Sequence, residues 1–163
     1  MEIEEFRKQF IDELRFNAEH EGTEPETQFI EKILNDLEEI GELNDPIPMS
    51  VEMRGSRNRI LAFDAYAYDE ADGALVLIAS DFTNQRDTAP TLTNTRIEEL
   101  YGRMLNFVEE SVQGNISKYC DDSDPALLIA NEFRKKIGKG MLSTEILRFK
   151  FFIISNATLS KQV

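Results

Sequence analysis

The stretch from Arg59 to Thr83, RILAFDAYAYDEADGALVLIASDFT, constrains the fold more than any other. Two runs rich in strand formers flank the acidic turn Asp69-Glu70-Ala71-Asp72-Gly73. That pattern predicts a β-hairpin over roughly 58–69 and 74–82. A loop at 70–73 pairs Asp69 with Ala74, which sets Asp64 opposite Ala79 and Asp81 one step along the same face. Tyr66 and Tyr68 share the face of Asp64 if the strand alternates regularly. A carboxylate inside an apolar strand is costly to bury, so Asp64 marks either an open site or a charge in use.

The rest of the chain supplies helices and one further strand. Ile3, Phe6, Phe10, Leu14 and Phe16 recur near helical spacing up to Gly22. Thr23-Glu24-Pro25-Glu26 reads as a helix start, with Thr23 as capping hydroxyl and Pro25 in the first turn. That second helix runs to about Ile40, with Phe29, Ile30, Ile33, Leu34 and Leu37 inward and Gly41 as its stop. Asn44-Asp45-Pro46-Ile47-Pro48 breaks regular structure. Thr93 or Asn94 opens a third helix over about 95–113, ended by Gly114. Pro125 opens a fourth, ended by Gly138-Lys139-Gly140. Glu145 to Ser155 is a near-continuous apolar run, expected to be a strand buried on both faces. The predicted order is ααββααβ: a single α/β (α+β) domain over 1–163, with helices flanking a small mixed sheet.

Composition narrows the function classes. Apolar residues make up 41% and charged residues 30%, as in ordinary globular domains. No run approaches the roughly 18 apolar residues of a membrane span, so no membrane partner is expected. One cysteine, Cys120, rules out an internal disulfide framework and fits a reducing cytoplasm. One histidine, His20, leaves no zinc site or Ser-His-Asp set to assemble. A net charge of −13 repels nucleic acid unless cations cluster. Two clusters exist: Arg54, Arg57 and Arg59, and Lys135, Lys136 and Lys139.

The hairpin acids suggest a metal site. Asp64 and Asp81 together could hold Mg²⁺ or Mn²⁺, which would activate water for phosphodiester cleavage. A carboxylate from the second helix, Glu26 or Glu31, would complete such a set. No other cofactor is called for.

Five segments in sequence order resemble the N-terminal domain of the bacterial abortive-infection phage-resistance (AIPR) proteins. They are EEFRKQFIDELRFNAEHEG, EIGEL, FDAYAYDEADGALVLIASDF, LTNTRIEELYGRMLNFVE and FKFFIISNATLS. The resemblance implies an antiviral defence module at the front of a longer protein. Its partners would be nucleic acid, the C-terminal remainder of that protein, or a second copy in a homodimer. The family domain is in turn similar to the restriction-endonuclease-like PD-(D/E)-x-K fold. There the hairpin carries an Asp on one strand, then an acid or Gln, any residue and Lys on the next. Asp64 matches the first position, but Ala79 stands where the second ligand would be and Asp81 where the lysine would be. The resemblance therefore implies a nuclease-like, catalytically degenerate module. Lys150 on the last strand is the candidate for a displaced lysine, and Arg54, Arg57, Arg59 and Lys150 are the candidate nucleic-acid contacts. The alternatives are an active metal-dependent nuclease using Asp64 and Asp81, and a purely structural interaction or dimerisation domain.

Overall fold

The computed structural model describes residues 2–138, 146 and 148–159. Lys139, Gly140 and Glu145, named above as cation, helix stop and strand start, lie outside the described residues. The elements are α1 (Ile3–Glu21), α2 (Pro25–Glu39), β1 (Ile47–Arg54), β2 (Ile60–Asp69), β3 (Ala74–Asp81), β4 (Thr91–Leu92), α3 (Asn94–Gln113), α4 (Pro125–Ile137), β5 (Arg148–Ser155) and β6 (Thr158–Leu159). Four strands form one mixed sheet in the order β1-β2-β3-β5. The pairs β1–β2 and β2–β3 are antiparallel, and β5 lies parallel to β3. The parallel return becomes possible because α3 and α4 supply the crossover that a parallel pair needs.

Helices cover both faces. Leu14 of α1 with Phe29 and Leu34 of α2 pack on Ala65, Ala67, Val76 and Ile78. On the other face, Met104 and Phe107 of α3 with Phe133 of α4 pack on Leu61, Phe63, Leu75 and Leu77. Burial on both faces explains why β3 reads as a continuous apolar run rather than an alternating one.

Several expectations change. β1 is an additional strand where the two prolines suggested a break. Pro48 is tolerated because β1 is an edge, where a missing N–H costs no ladder bond on the open side. β5 is the opposite edge and is only half-buried along most of its length, not enclosed on both faces. In α1 the side chains of Ile3, Phe6 and Phe16 are exposed, and Ile11, Leu14 and Ala18 are the buried ones. Thr23 does not cap α2; Glu24 holds the cap position without a side-chain bond, and Thr23 Oγ1 accepts from Gln28 Nε2 at 2.9 Å. Ile40 is the C-cap of α2, with Gly41 just beyond it at φ +83°. The caps of α3 and α4 are formed by side chains: Thr93 accepts from Arg96 N–H, and Asp124 from Ala126 N–H.

Candidate functional site

The β2–β3 register agrees with the turn-based prediction, from Asp69↔Ala74 to Ala65↔Ile78. The pairing ends there, so the expected Asp64–Ala79 rung is not formed. Instead Asp64 Oδ2 accepts the backbone N–H of Ser80 at 2.7 Å. A side chain thus takes the donor that a strand carbonyl would have taken.

Regular alternation fails at the same place. Phe63 packs in the α3/α4 core with Tyr66, whereas Ala65 and Ala67 belong to the α1/α2 core. The faces of β2 therefore exchange between Phe63 and Ala65. The β1–β2 register shifts alongside, between Pro48 and Val51. Such irregularities bend a strand and re-aim its side chains. Tyr66 and Tyr68 consequently do not share a regular face with Asp64 and pack in the α3/α4 core. Tyr66 is buried, and the Tyr68 hydroxyl donates to Glu132 at 2.8 Å.

A pocket of about 170 Å³ opens where the pairing stops. It is smaller than the roughly 300 Å³ at which small-molecule sites begin, so it suits water or a phosphate-sized group rather than a nucleoside. Glu26 of α2, Glu52 of β1, Asp64, Ser80, and Arg96 and Arg103 of α3 all line it. Burial pushes the Asp64 carboxyl above its ordinary value; the Ser80 N–H opposes the shift, Glu52 adds to it and Arg96 opposes it. Burial also pushes Glu26 up, reinforced by Asp64 and Asp81 and opposed by Ser80 and Arg96. Ser80 itself is only 6% exposed, and its hydroxyl has no fully formed hydrogen bond.

Asp81 is engaged at both oxygens. Oδ1 accepts from Arg96 Nε at 3.1 Å and Oδ2 from Ser155 Oγ at 3.1 Å. Each oxygen keeps one acceptor site beyond those contacts. Among the described residues no three His, Cys, Asp or Glu side chains form a group that could hold a metal ion. Asp64 and Asp81 alone would leave most of the octahedral positions of Mg²⁺ or Mn²⁺ to water.

The sequence-level cations lie elsewhere. Lys150 pairs with Asp72 at 2.8 Å and Asp69 at 3.4 Å, by the hairpin turn. Its rung partner, Val76, is three residues along β3 from Ala79, and its ammonium is held at the turn. Arg59 pairs with the buried Glu110 of α3 at 2.8 Å and contacts Asn106. Arg54 and Arg57 are exposed where β1 turns into β2, Arg57 and Asn58 adopting left-handed φ of 60° and 58°. None of the four lines the pocket.

Arg96 and Arg103 are the residues that sequence reasoning passed over. Their signal was present: 96, 100 and 103 fall on one helix face.

The family model described as "Abortive infection phage resistance protein N-terminal domain" matches residues 29–163. No curated protein and no solved structure matches the chain. The matched span includes Asp64, Ser80, Asp81, Arg96 and Arg103; Glu26 and all of α1, including the first resembling segment, precede it. No helix among the described residues is long and apolar enough to cross a membrane.

Proposed function

The chain belongs to the abortive infection phage resistance protein N-terminal domain family, which makes it a phage-defence module, and we propose that its Asp64 pocket is a catalytically degenerate nuclease site. In this reading the module binds nucleic acid, or the remainder of the same protein, and cleaves little or nothing by itself. The observation that carries it is the Asp81–Arg96 ion pair at the end of β3. At that position a PD-(D/E)-x-K nuclease needs a free lysine beside the scissile phosphate. Here a carboxylate stands in its place with both oxygens hydrogen-bonded. Two further features support the ancestry: a parallel strand beside the hairpin, and helices on both faces of the sheet.

The chemistry explains the expected loss of rate. The lysine orients or deprotonates the attacking water and offsets phosphate charge. Asp81 reverses that sign, and Ala79 removes a ligand oxygen. Each ~1.4 kcal/mol of lost transition-state stabilisation costs about tenfold in rate, so the two changes together remove several orders of magnitude. Incubation of the purified chain with DNA and RNA in Mg²⁺ or Mn²⁺ tests this. We expect no turnover above background. Robust cleavage that disappears in Asp64→Ala refutes the degenerate reading.

One observation favours the competing reading of an active nuclease: Glu26 of α2 lines the same pocket as Asp64. Titration with Mn²⁺ separates the two. Binding lost in both Asp64→Ala and Glu26→Ala, together with cleavage, would establish the active form; no binding at millimolar metal excludes it.

A further inference from the structure

The pocket has cations of its own, and they come from α3 rather than from the strand. Arg96 reaches it from the first turn of α3 and Arg103 from two turns later. Two of the Arg96 nitrogens are committed, Nε to Asp81 and Nη1 to Glu99 at 3.3 Å, and Nη2 donates no hydrogen bond to any described residue. Arg103 is half-buried and makes no hydrogen bond or ion pair with any described residue. A guanidinium with its donors uncommitted in a pocket is open to an anion. Beside it, the buried Ser80 hydroxyl makes no full hydrogen bond, although it faces the Glu26 carboxyl closely enough to hold down its proton affinity. Guanidinium groups and a hydroxyl converging on a phosphate-sized space form a donor set suited to a phosphate oxygen.

The geometry points to Arg96 and Arg103 as the phosphodiester-binding residues of this pocket, with Asp81 as the positioning residue that holds Arg96 at its mouth. The positive charge that β3 lacks is thereby relocated to α3. This inference rests on the nuclease-like reading for the nature of the ligand, but not on whether cleavage survives. Glu26, Glu52 and Asp64 line the same space and oppose a phosphate, so binding is expected to be modest and selective for backbone over base. The one aromatic residue that lines the pocket, Phe63, is 1% exposed and packed against Phe107 and Phe133, so it offers no open ring face to a nucleobase.

Fluorescence anisotropy of the full chain with labelled single- and double-stranded DNA and RNA oligonucleotides, without divalent metal, tests the assignment. Inorganic phosphate serves as competitor. We expect Arg96→Gln and Arg103→Gln each to weaken binding by roughly tenfold. Each should also reduce the slope of log affinity against log salt by about one, which a merely structural role would not do. Asp81→Asn should weaken binding, and Asp81→Glu should restore much of it. Circular dichroism of each variant checks folding. Binding that tracks Arg54→Gln and Arg57→Gln instead, with the α3 variants unchanged in both affinity and slope, overturns the assignment. So does a wild-type chain that binds no oligonucleotide and no phosphate. Neither result touches the cleavage question, which Asp64→Ala decides separately.

Discussion

Arg59 offers the sharpest test of how charge is distributed in this domain, because the sequence places it among candidate phosphate contacts and the structure gives it a buried partner. Glu110 is 4% exposed and accepts from Arg59 Nη2 at 2.8 Å. It also accepts from Asn115 Nδ2 at 2.9 Å and from the Tyr119 hydroxyl at 3.2 Å. Removing one member of a buried pair typically costs about 3–5 kcal/mol, because the other charge is left unpaired. Two effects reduce that figure here. The Arg59 side chain is 39% exposed, so water already screens part of the attraction. Two neutral donors also stay on Glu110 after Arg59 is gone. We therefore expect Arg59→Met to cost about 2 kcal/mol, equivalent to roughly 4–8 °C in Tm for a domain of this size.

Urea denaturation followed by far-UV circular dichroism measures this directly, provided the m-value is unchanged. Glu110→Gln and the double variant complete the cycle. Removing the charge from Glu110 relieves the penalty that Arg59→Met creates, so the double variant should recover about 1 kcal/mol relative to additivity. Arg59→Met should leave the salt slope of oligonucleotide binding untouched. An Arg59→Met variant within ~0.5 kcal/mol of wild type, or strict additivity in the cycle, would falsify the structural assignment and return Arg59 to the pool of ligand-binding cations.

Three other outcomes are expected. Asp64→Asn keeps an acceptor for the Ser80 N–H and removes a carboxylate whose affinity for protons is raised by burial in the folded state. Such a group binds protons more tightly folded than unfolded, so wild-type stability rises as pH falls from neutral toward the unfolded carboxylate range. The stability advantage of Asp64→Asn should therefore be largest at neutral pH and shrink on acidification, as urea midpoints at several pH values will show; an advantage that grows on acidification contradicts the sign. Phe133 is fully buried among Phe63, Tyr66, Tyr68 and Phe107, so Phe133→Ala should lose about 3–5 kcal/mol in the same assay. Lys150→Ala should leave oligonucleotide affinity unchanged in anisotropy, since its ammonium is bound to Asp69 and Asp72.

Much of the fold was legible because short-range chemistry decides it. The hairpin register followed from the loop length alone, and the stops at Gly22, Gly114 and Gly138 from glycines that tolerate left-handed φ. β1 was hidden by Pro46 and Pro48, which signal a break in any central strand. The spacing of Met49, Val51 and Met53 was the counter-signal, and those three are the packed positions of that strand. β5 was misjudged for a different reason. An apolar run cannot distinguish a central strand from an edge strand partly covered by neighbours, and Phe149 at 40% exposed is such a residue. Within the site, Asp64 stood out as an acid in an apolar strand. Arg96 and Arg103 did not, because a cation on an amphipathic helix is ordinary until the element facing it is known. Lys150 misled because a long flexible stem lets the ammonium choose among acids, and the turn presents two.

Stability alone gives no reason for the arrangement around Asp64. Its carboxylate is burdened by burial at neutral pH, although a neutral acceptor could serve the Ser80 N–H as well. Close by, β2 exchanges its faces, β1 shifts register and the β2–β3 pairing stops. The Ser80 hydroxyl is buried without a full hydrogen bond, and Arg103 faces the same space without a counter-ion. These departures gather at one place, and such gathering is what a site, rather than packing alone, would produce. A scaffold that needed only to fold would have continued the ladder through Asp64 and Ala79 and closed the pocket. Under the proposed reading, the open end of the hairpin is the part of the domain shaped by its ligand. The acids of that pocket come from α2, β1 and β2 and its cations from α3, so a phosphate entering it would bridge the sheet to α3 and tie the two together.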